Sequence, residues 1–223
     1  MKSMKFLTRS AWYKKNLEPV LSRIGWFEYL LLKRKSALAQ WGWFKSRRMM
    51  ASIDQSGNAI PWYTYTFLDA MTDRIPVDAR VFEYGSGNST NWWADRTAEV
   101  YSVEHDEGWY ATVMQSLHEH ANLLHRPLQN GEYAKSIQQT PGVFDIIIID
   151  GRDRVQCAKS CLEKLSSRGV IIWDNSERSR YAEGIQYLKQ NGFRQLRFTG
   201  FIPIDFMPSE TSIFYKDDNC FGI

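Results

Sequence analysis

Cysteine is scarce in this chain of 223 residues, with Cys157, Cys161 and Cys220 alone. An odd, sparse set excludes a disulfide framework and fits a reducing compartment. Long apolar runs are also missing. Nothing approaches the ~18–20 consecutive apolar residues that span a bilayer. The run Tyr29 to Leu32 stops at Lys33-Arg34-Lys35. The N-terminus shows neither a secretory apolar segment nor a small-residue cleavage site, so the cytoplasm is the expected compartment. Internal repeats and low-complexity tracts are absent. With 43% hydrophobic and 24% charged residues, the composition excludes a disordered chain and a collagen-like repeat.

Acidic residues are scarce only at one end. Residues 1–50 hold 12 Lys/Arg against Glu18 and Glu28, a formal +10, whereas residues 51–223 carry −7. Two parts are expected: a basic, aromatic-rich helical extension over 1–58 and a globular domain over 59–223. Leu17, Val20, Leu21, Ile24, Phe27 and Leu31 recur at three- and four-residue steps. They predict an amphipathic helix over 16–32, capped by Asn16 and with Pro19 in its first turn. The extension admits three readings: a cap over a substrate cleft, peripheral contact with an anionic membrane through residues 1–50, or contact with nucleic acid. No nucleic-acid-binding module is present, which disfavours the last.

From residue 79 strand patterns alternate with helical ones. Strands are expected at Arg80 to Tyr84, Val100 to Glu104, Asn122 to Arg126, Phe144 to Asp150 and Val170 to Asp174, with Phe193 to Phe198 and Thr211 to Tyr215 as a final antiparallel pair. Helices are expected at Trp62 to Met71, Ser89 to Ala98, Trp109 to His120, Arg154 to Ser167 and Tyr181 to Gln190. The pattern predicts an α/β, Rossmann-like fold: seven strands, mostly parallel, with helices on both faces.

The segment Val81-Phe82-Glu83-Tyr84-Gly85-Ser86-Gly87-Asn88-Ser89-Thr90 is a strand that stops at two glycines and opens a helix. Glycines there permit a sharp turn and close backbone approach to a ligand, while the helix start supplies free N–H groups. A dinucleotide fingerprint needs a third glycine, and that position is Thr90. Glu83 would repel a pyrophosphate but suits an ammonium group. Glu104, 21 residues later at the next strand end, can accept both hydroxyls of a ribose.

The run E-Y-G-S-G-N-S-T followed by S-V-E-H-D resembles motif I and the post-I acid of the class I S-adenosylmethionine-dependent methyltransferases. The resemblance covers residues 60–216. It implies that Glu83, Gly85, Ser86 and Gly87 flank the methionine part of S-adenosylmethionine, with Asn88 and Ser89 lining the same loop. It further implies that Glu104 holds the ribose and that His105 lies beside the adenine. Trp62, in the lead-in Ile60 to Tyr65, resembles part of the helix packed over the cofactor in related bacterial enzymes.

Asp150 and Asp174 end the next two strands, and Asn175 follows. All parallel strand ends open on one edge, so these residues are expected to converge beside the cofactor. Asp150 would then also touch its methionine part. Asp150, Asp174 and Asn175 offer three oxygen ligands suited to Mg²⁺ or a similar cation. Their spacing resembles the metal site of catechol-type O-methyltransferases. Those enzymes place a lysine three residues after the first Asp; here that residue is Asp153. The alternative is a metal-free site in which Asp150 and Asp174 cap helices and bind the methionine part or substrate. Arg152, Arg154 and Arg178 would then pair with the acids or bind an anionic substrate. Candidate bases are Asp150, Asp153 and His105.

The expected function is methyl transfer to oxygen of a small molecule or glycan. The alternatives are a nucleic-acid or protein methyltransferase using the extension, and an inactive, membrane-associated binding protein of the same fold. An Asn/Asp-Pro-Pro-Tyr/Phe-like motif would mark an amino-methyltransferase, but its place holds Asp150-Gly151-Arg152-Asp153. The apolar stretch Phe201 to Pro208 is expected to cover either substrate or core.

Overall fold

The structure is a computed structural model that describes residues 11–16, 18–23 and 25–223. Among the described residues the extension forms five short helices: α1 (Ala11–Asn16), α2 (Glu18–Arg23), α3 (Trp26–Lys35), α4 (Ala37–Trp41) and α5 (Trp43–Met49). The single helix expected over 16–32 is therefore corrected. Asn16 follows the helical residues Ala11–Lys15 instead of preceding a helix as its cap, and Gly25, in the left-handed region at φ 68°, lies between α2 and α3. Pro19 lies in α2, and whether this is a first turn depends on Leu17. Leu17 and Ile24 lie outside the described residues. Val20 and Leu31, members of the same stripe, are exposed at 56% and 37%. Gly42, with φ 94°, divides α4 from α5.

The domain that follows contains α6 (Tyr65–Met71), β1 (Arg80–Tyr84), α7 (Asn88–Ala94), β2 (Glu99–Glu104), α8 (Glu107–Met114) and β3 (Ala121–His125). After these come α9 (Glu132–Lys135), β4 (Phe144–Ile149), α10 (Arg154–Cys161), β5 (Leu165–Asp174), α11 (Ala182–Gln190), β6 (Arg194–Gly200) and β7 (Ser209–Tyr215). One seven-stranded sheet runs β3-β2-β1-β4-β5-β7-β6, parallel except for β7, which pairs antiparallel with β5 and β6. The expected α/β architecture is present.

The helix expected over 154–167 stops at Cys161, and β5 begins at Leu165. Leu162 and Leu165 continue the helical spacing, but Leu165 pairs with Phe144 at the start of β4. Sheet pairing there overrides the local period.

Side-chain alternation divides the core between the two faces. Ile146 and Ile148 face one cluster with Val81, Val170, Ile172, Trp92 and Trp93. Ile147 and Ile149 face the other with Phe82, Tyr84, Ile171 and Trp173. All four isoleucines are fully buried, which explains a run without polar interruption. The extension joins the first cluster: Trp43 is buried in it, and Trp41 stacks on Tyr65 at 5.5 Å between ring centres.

The sheet order brings several chain segments to one edge. The carboxyl ends of β1, β2, β4, β5 and β6 and the start of β7 all lie there. The loop 201–208 leaves from that edge.

Candidate functional site

The loop after β1 is built on unusual backbone. Gly85 has φ 108° and Gly87 φ 155°, conformations that side-chain-bearing residues avoid. Gly85 is also crowded, since an added Cβ would lie 3.2 Å from Gly151, just past β4. Gly151 is the more demanding position. Its Cβ would strike Tyr133 Oη and lie 2.9 Å from Gly85 N and 3.0 Å from Tyr84 O. Gly151→Ala should therefore force two strand-end loops apart and cost about 1–3 kcal/mol. Denaturant unfolding checks this; an unchanged midpoint would refute the close packing.

Glu83 lies beneath the loop, 1% exposed. Its Oε2 accepts from the hydroxyls of Thr90 and Ser102, each at 2.6 Å. Thr90 Oγ1 in turn accepts from Gly87 N at 3.1 Å, so the residue at the third-glycine position ties the loop to the acid. Oε1 of Glu83 is buried without a hydrogen-bond partner. Burial pushes the Glu83 pKa up to about 7, against the opposing hydroxyls of Ser102, Ser89 and Thr90, and the charge of Asp150 adds to the rise.

One strand away, Glu104 is 5% exposed. Its Oε2 accepts from Ser86 Oγ at 3.0 Å, linking it to the glycine loop. Its Oε1 accepts from the backbone N–H groups of His105 (2.7 Å) and Asp106 (2.9 Å). His105 Nδ1 lies 2.7 Å from that same oxygen. Trp109, from α8, was not singled out by the sequence reading. Its indole N–H donates to the Ser86 carbonyl at 2.9 Å, and it would lie 3.7 Å from a Cβ at Gly87.

Asp150 and Asp174 do come together at the ends of β4 and β5, but with a cation already between them. Arg154, 7% exposed, reaches back from the first turn of α10. It donates to the carbonyls of Gly151 (2.9 Å), Asp150 (2.7 Å) and Asp174, and to Asp150 Oδ1 at 3.0 Å. Asp174 Oδ1 accepts from Thr211 Oγ1 at 2.8 Å, and Asn175 Nδ2 donates to Ser209 Oγ at 3.0 Å. These donors do not fit Mg²⁺. Asp150 Oδ1 is taken by a guanidinium, Asp174 Oδ1 by a threonine hydroxyl, and among the described residues no group of three His, Cys, Asp or Glu is placed to hold a metal ion. The metal reading gains no support here, since the positive charge beside Asp150 is that of Arg154. The spacing of Asp150 and Arg154, one helical turn, was the available signal.

Burial raises the pKa of both acids. Arg154 counters the rise at both, whereas Asp150 adds to it at Asp174. Asp153 is exposed, with φ 48°, at the N-cap of α10. Burial raises its pKa too.

The lead-in to α6 closes the site from the other face. Thr64 N donates to Thr211 Oγ1 at 3.0 Å. Tyr63 is fully buried, and its hydroxyl accepts from Trp93 Nε1 at 3.4 Å. Burial and then the negative charges of Glu83, Asp150 and Asp174 drive its pKa well above the usual value. Trp62, by contrast, is 49% exposed and precedes the helix it was expected to begin. Asn88 Nδ2 donates to the Ser52 carbonyl at 3.3 Å, joining the glycine loop to the extension's connector. Ser89 is buried in the first turn of α7. Trp43 packs edge-on against Phe201 and Phe206, and its Nε1 donates to the Asp205 carbonyl at 2.8 Å. The loop 201–208 thus meets the extension.

Solved structures share this architecture. A putative caffeoyl-CoA O-methyltransferase from Staphylococcus aureus superposes with TM-score 0.56 at 17% identity, over 86% of this chain and 97% of that one. A precorrin-6y C5,15-methyltransferase from Geobacter metallireducens gives 0.55 at 12% identity, over 74% and 97%. An rRNA methylase from Streptococcus thermophilus gives 0.52 at 16% identity, over 66% and 92%. The chain has the class I methyltransferase fold. No family model matches the sequence, and no curated protein matches it. Within this methyltransferase fold, the glycine loop after β1 and the acid ending β2 lie on the edge where ligands of open α/β sheets bind. No helix among the described residues is long and apolar enough to cross a membrane.

Proposed function

We propose that the protein transfers the methyl group of S-adenosylmethionine to an oxygen of a small molecule or glycan. One observation carries the cofactor reading. A buried carboxylate with an unpartnered oxygen, Glu83, lies under a glycine loop whose Ser86 is tied to a second acid, Glu104, at the adjacent strand end. This pair fits an ammonium group and a ribose. Gly85, Ser86, Gly87, Asn88 and Ser89 would line the methionine side, and His105 and Trp109 the adenine side. The cofactor supplies a methyl group already activated on a sulfonium. The protein's task is to hold the acceptor oxygen in line with it.

An alcohol must lose a proton as it is methylated, which an uncharged amine need not do beforehand. Asp150 suits that task best among the three candidate bases. Its side chain is 24% exposed, burial raises its pKa above the usual carboxylate value, and Arg154 meets it at Oδ1 only. His105 is committed to Glu104 through Nδ1, and Asp153 lies out at the start of α10. The contacts of Trp43 with the loop 201–208 support the extension as a cap over the acceptor. A nucleic-acid substrate is a second reading, favoured by the +10 of residues 1–50. It would show as binding that weakens steeply with salt.

Calorimetric titration with S-adenosylhomocysteine tests the cofactor assignment, with one site per chain expected. No heat of binding would overturn it. The pH dependence has a definite sign. An ammonium group prefers ionised Glu83, so affinity should rise with pH through about 7 and then level off. Folding shows the opposite trend. The folded pKa of about 7 exceeds the ordinary 4.5, so the folded state binds the extra proton between those values. Stability should fall across that window as pH rises, and Glu83→Gln should flatten the fall. An affinity that is constant from pH 6 to 8 would remove Glu83 from the ligand site.

A further inference from the structure

Away from the strand ends, a cavity of about 370 Å³ opens between α3, α4, α5 and the connector. Lys33, Lys45, Arg47 and Arg48 line it, with Tyr29 and Phe44 as aromatic walls and no carboxylate. Its volume falls in the ~300–1,000 Å³ range of small-ligand sites. None of the four cations forms an ion pair among the described residues. Lys45 Nζ donates to the Gln55 carbonyl at 3.3 Å. Arg47 Nη1 donates to the Ile204 carbonyl at 3.5 Å, and its guanidinium lies 4.8 Å over the Phe206 ring. The connector's acid, Asp54, is turned into its own loop, where it accepts from the N–H groups of Gly57 and Asn58. Four cations around one concavity repel one another and focus positive potential within it. A bound anion relieves that repulsion.

We infer that this pocket binds the phosphate group of an organic ligand. The arginines supply planar forks for phosphate oxygens, the lysines add point charges, and the Tyr29 hydroxyl is a further donor. Phe44 offers an apolar wall to the rest of the ligand. The pocket adjoins the strand-end site. Arg47 touches the loop 201–208, and Gln55 is three residues from Ser52, whose carbonyl binds Asn88. Three residues of chain span at most about 10 Å. The inference does not rest on methyl transfer.

Calorimetric titration of the full chain with inorganic pyrophosphate, at low ionic strength, tests the site. Saturable binding is expected, weakened by added salt. The double variant Lys33→Glu/Arg48→Glu changes two exposed side chains, and an unchanged thermal midpoint will show that it folds. It should bind pyrophosphate about tenfold or more weakly, as loss of charge-assisted contacts requires. Pelleting with phosphatidylglycerol vesicles, against phosphatidylcholine controls, identifies the source of the phosphate. Pelleting that pyrophosphate displaces assigns a lipid headgroup. Pyrophosphate binding without pelleting assigns a soluble phosphorylated molecule. Absent pyrophosphate binding, equal binding by the double variant, or pelleting that pyrophosphate does not displace would each overturn the proposal.

Discussion

Replacing Arg154 by alanine should cost about 3–5 kcal/mol of folding stability, the scale of breaking a buried charge pair. The guanidinium is 7% exposed, so solvent screens it little. It satisfies the carbonyls of Asp150, Gly151 and Asp174 and pairs with the Asp150 carboxylate. Truncation strands all of them at the ends of β4 and β5. Asp150 and Asp174 already have raised pKa values, and each is lowered by Arg154. Without it both acids should take up protons at higher pH, so the stability loss should grow as pH rises. Arg154→Lys should recover only part of the loss, because an ammonium cannot fork to several oxygens. Urea unfolding of the three proteins at pH 6 and 8 measures this. A loss below about 1 kcal/mol would show that the clamp is not structural.

Glu104→Ala should leave the fold largely intact but weaken S-adenosylhomocysteine binding by about a hundredfold or more. Two hydrogen bonds to a charged acceptor are worth about 1.5–3 kcal/mol each. The same change also releases the loop. Ser86 Oγ and the N–H groups of His105 and Asp106 lose their shared acceptor. Glu104→Gln keeps the shape and loses the charge, so it should fall between the two. Calorimetry at one pH separates them. Equal affinity in wild type and Glu104→Ala would mean that the cofactor lies elsewhere.

Local features were readable without the fold. β1 begins and ends where its apolar run and first glycine place it, because both signals are short-range. The four isoleucines of β4 declared a strand buried on both faces. Glu83 and Glu104 stood out as acids at strand ends, and the structure joins their loops through Ser86. The helices were read less well. A three- and four-residue apolar period over 16–32 says nothing about Gly25, whose left-handed backbone breaks the run. At 154–167 the same period continued past the point where pairing with Phe144 takes over.

The acids ending β4 and β5 show the limit most plainly. Their residue types and spacing were visible, and they left a metal and a metal-free, ion-paired site both open. The direction in which Arg154 turns was not, since it is set by α10 packing back on the sheet. Gly151, Tyr133, Trp109 and Thr211 escaped notice for the same reason: their partners lie on other elements, up to 147 residues away in the case of Thr211 and Thr64.

The sequence by itself determined the alternating α/β pattern, the glycine turn and the carboxylates at the strand ends. Each of these is dictated by neighbours within a turn or a strand. The tertiary structure decided what those carboxylates face. It set Glu83 in a buried niche with one open oxygen, turned a guanidinium onto the Asp150 carboxylate and the Asp174 carbonyl, and gathered cations of the extension around a single cavity. Electrostatic partners are chosen by distance in space, and only the folded chain fixes that distance.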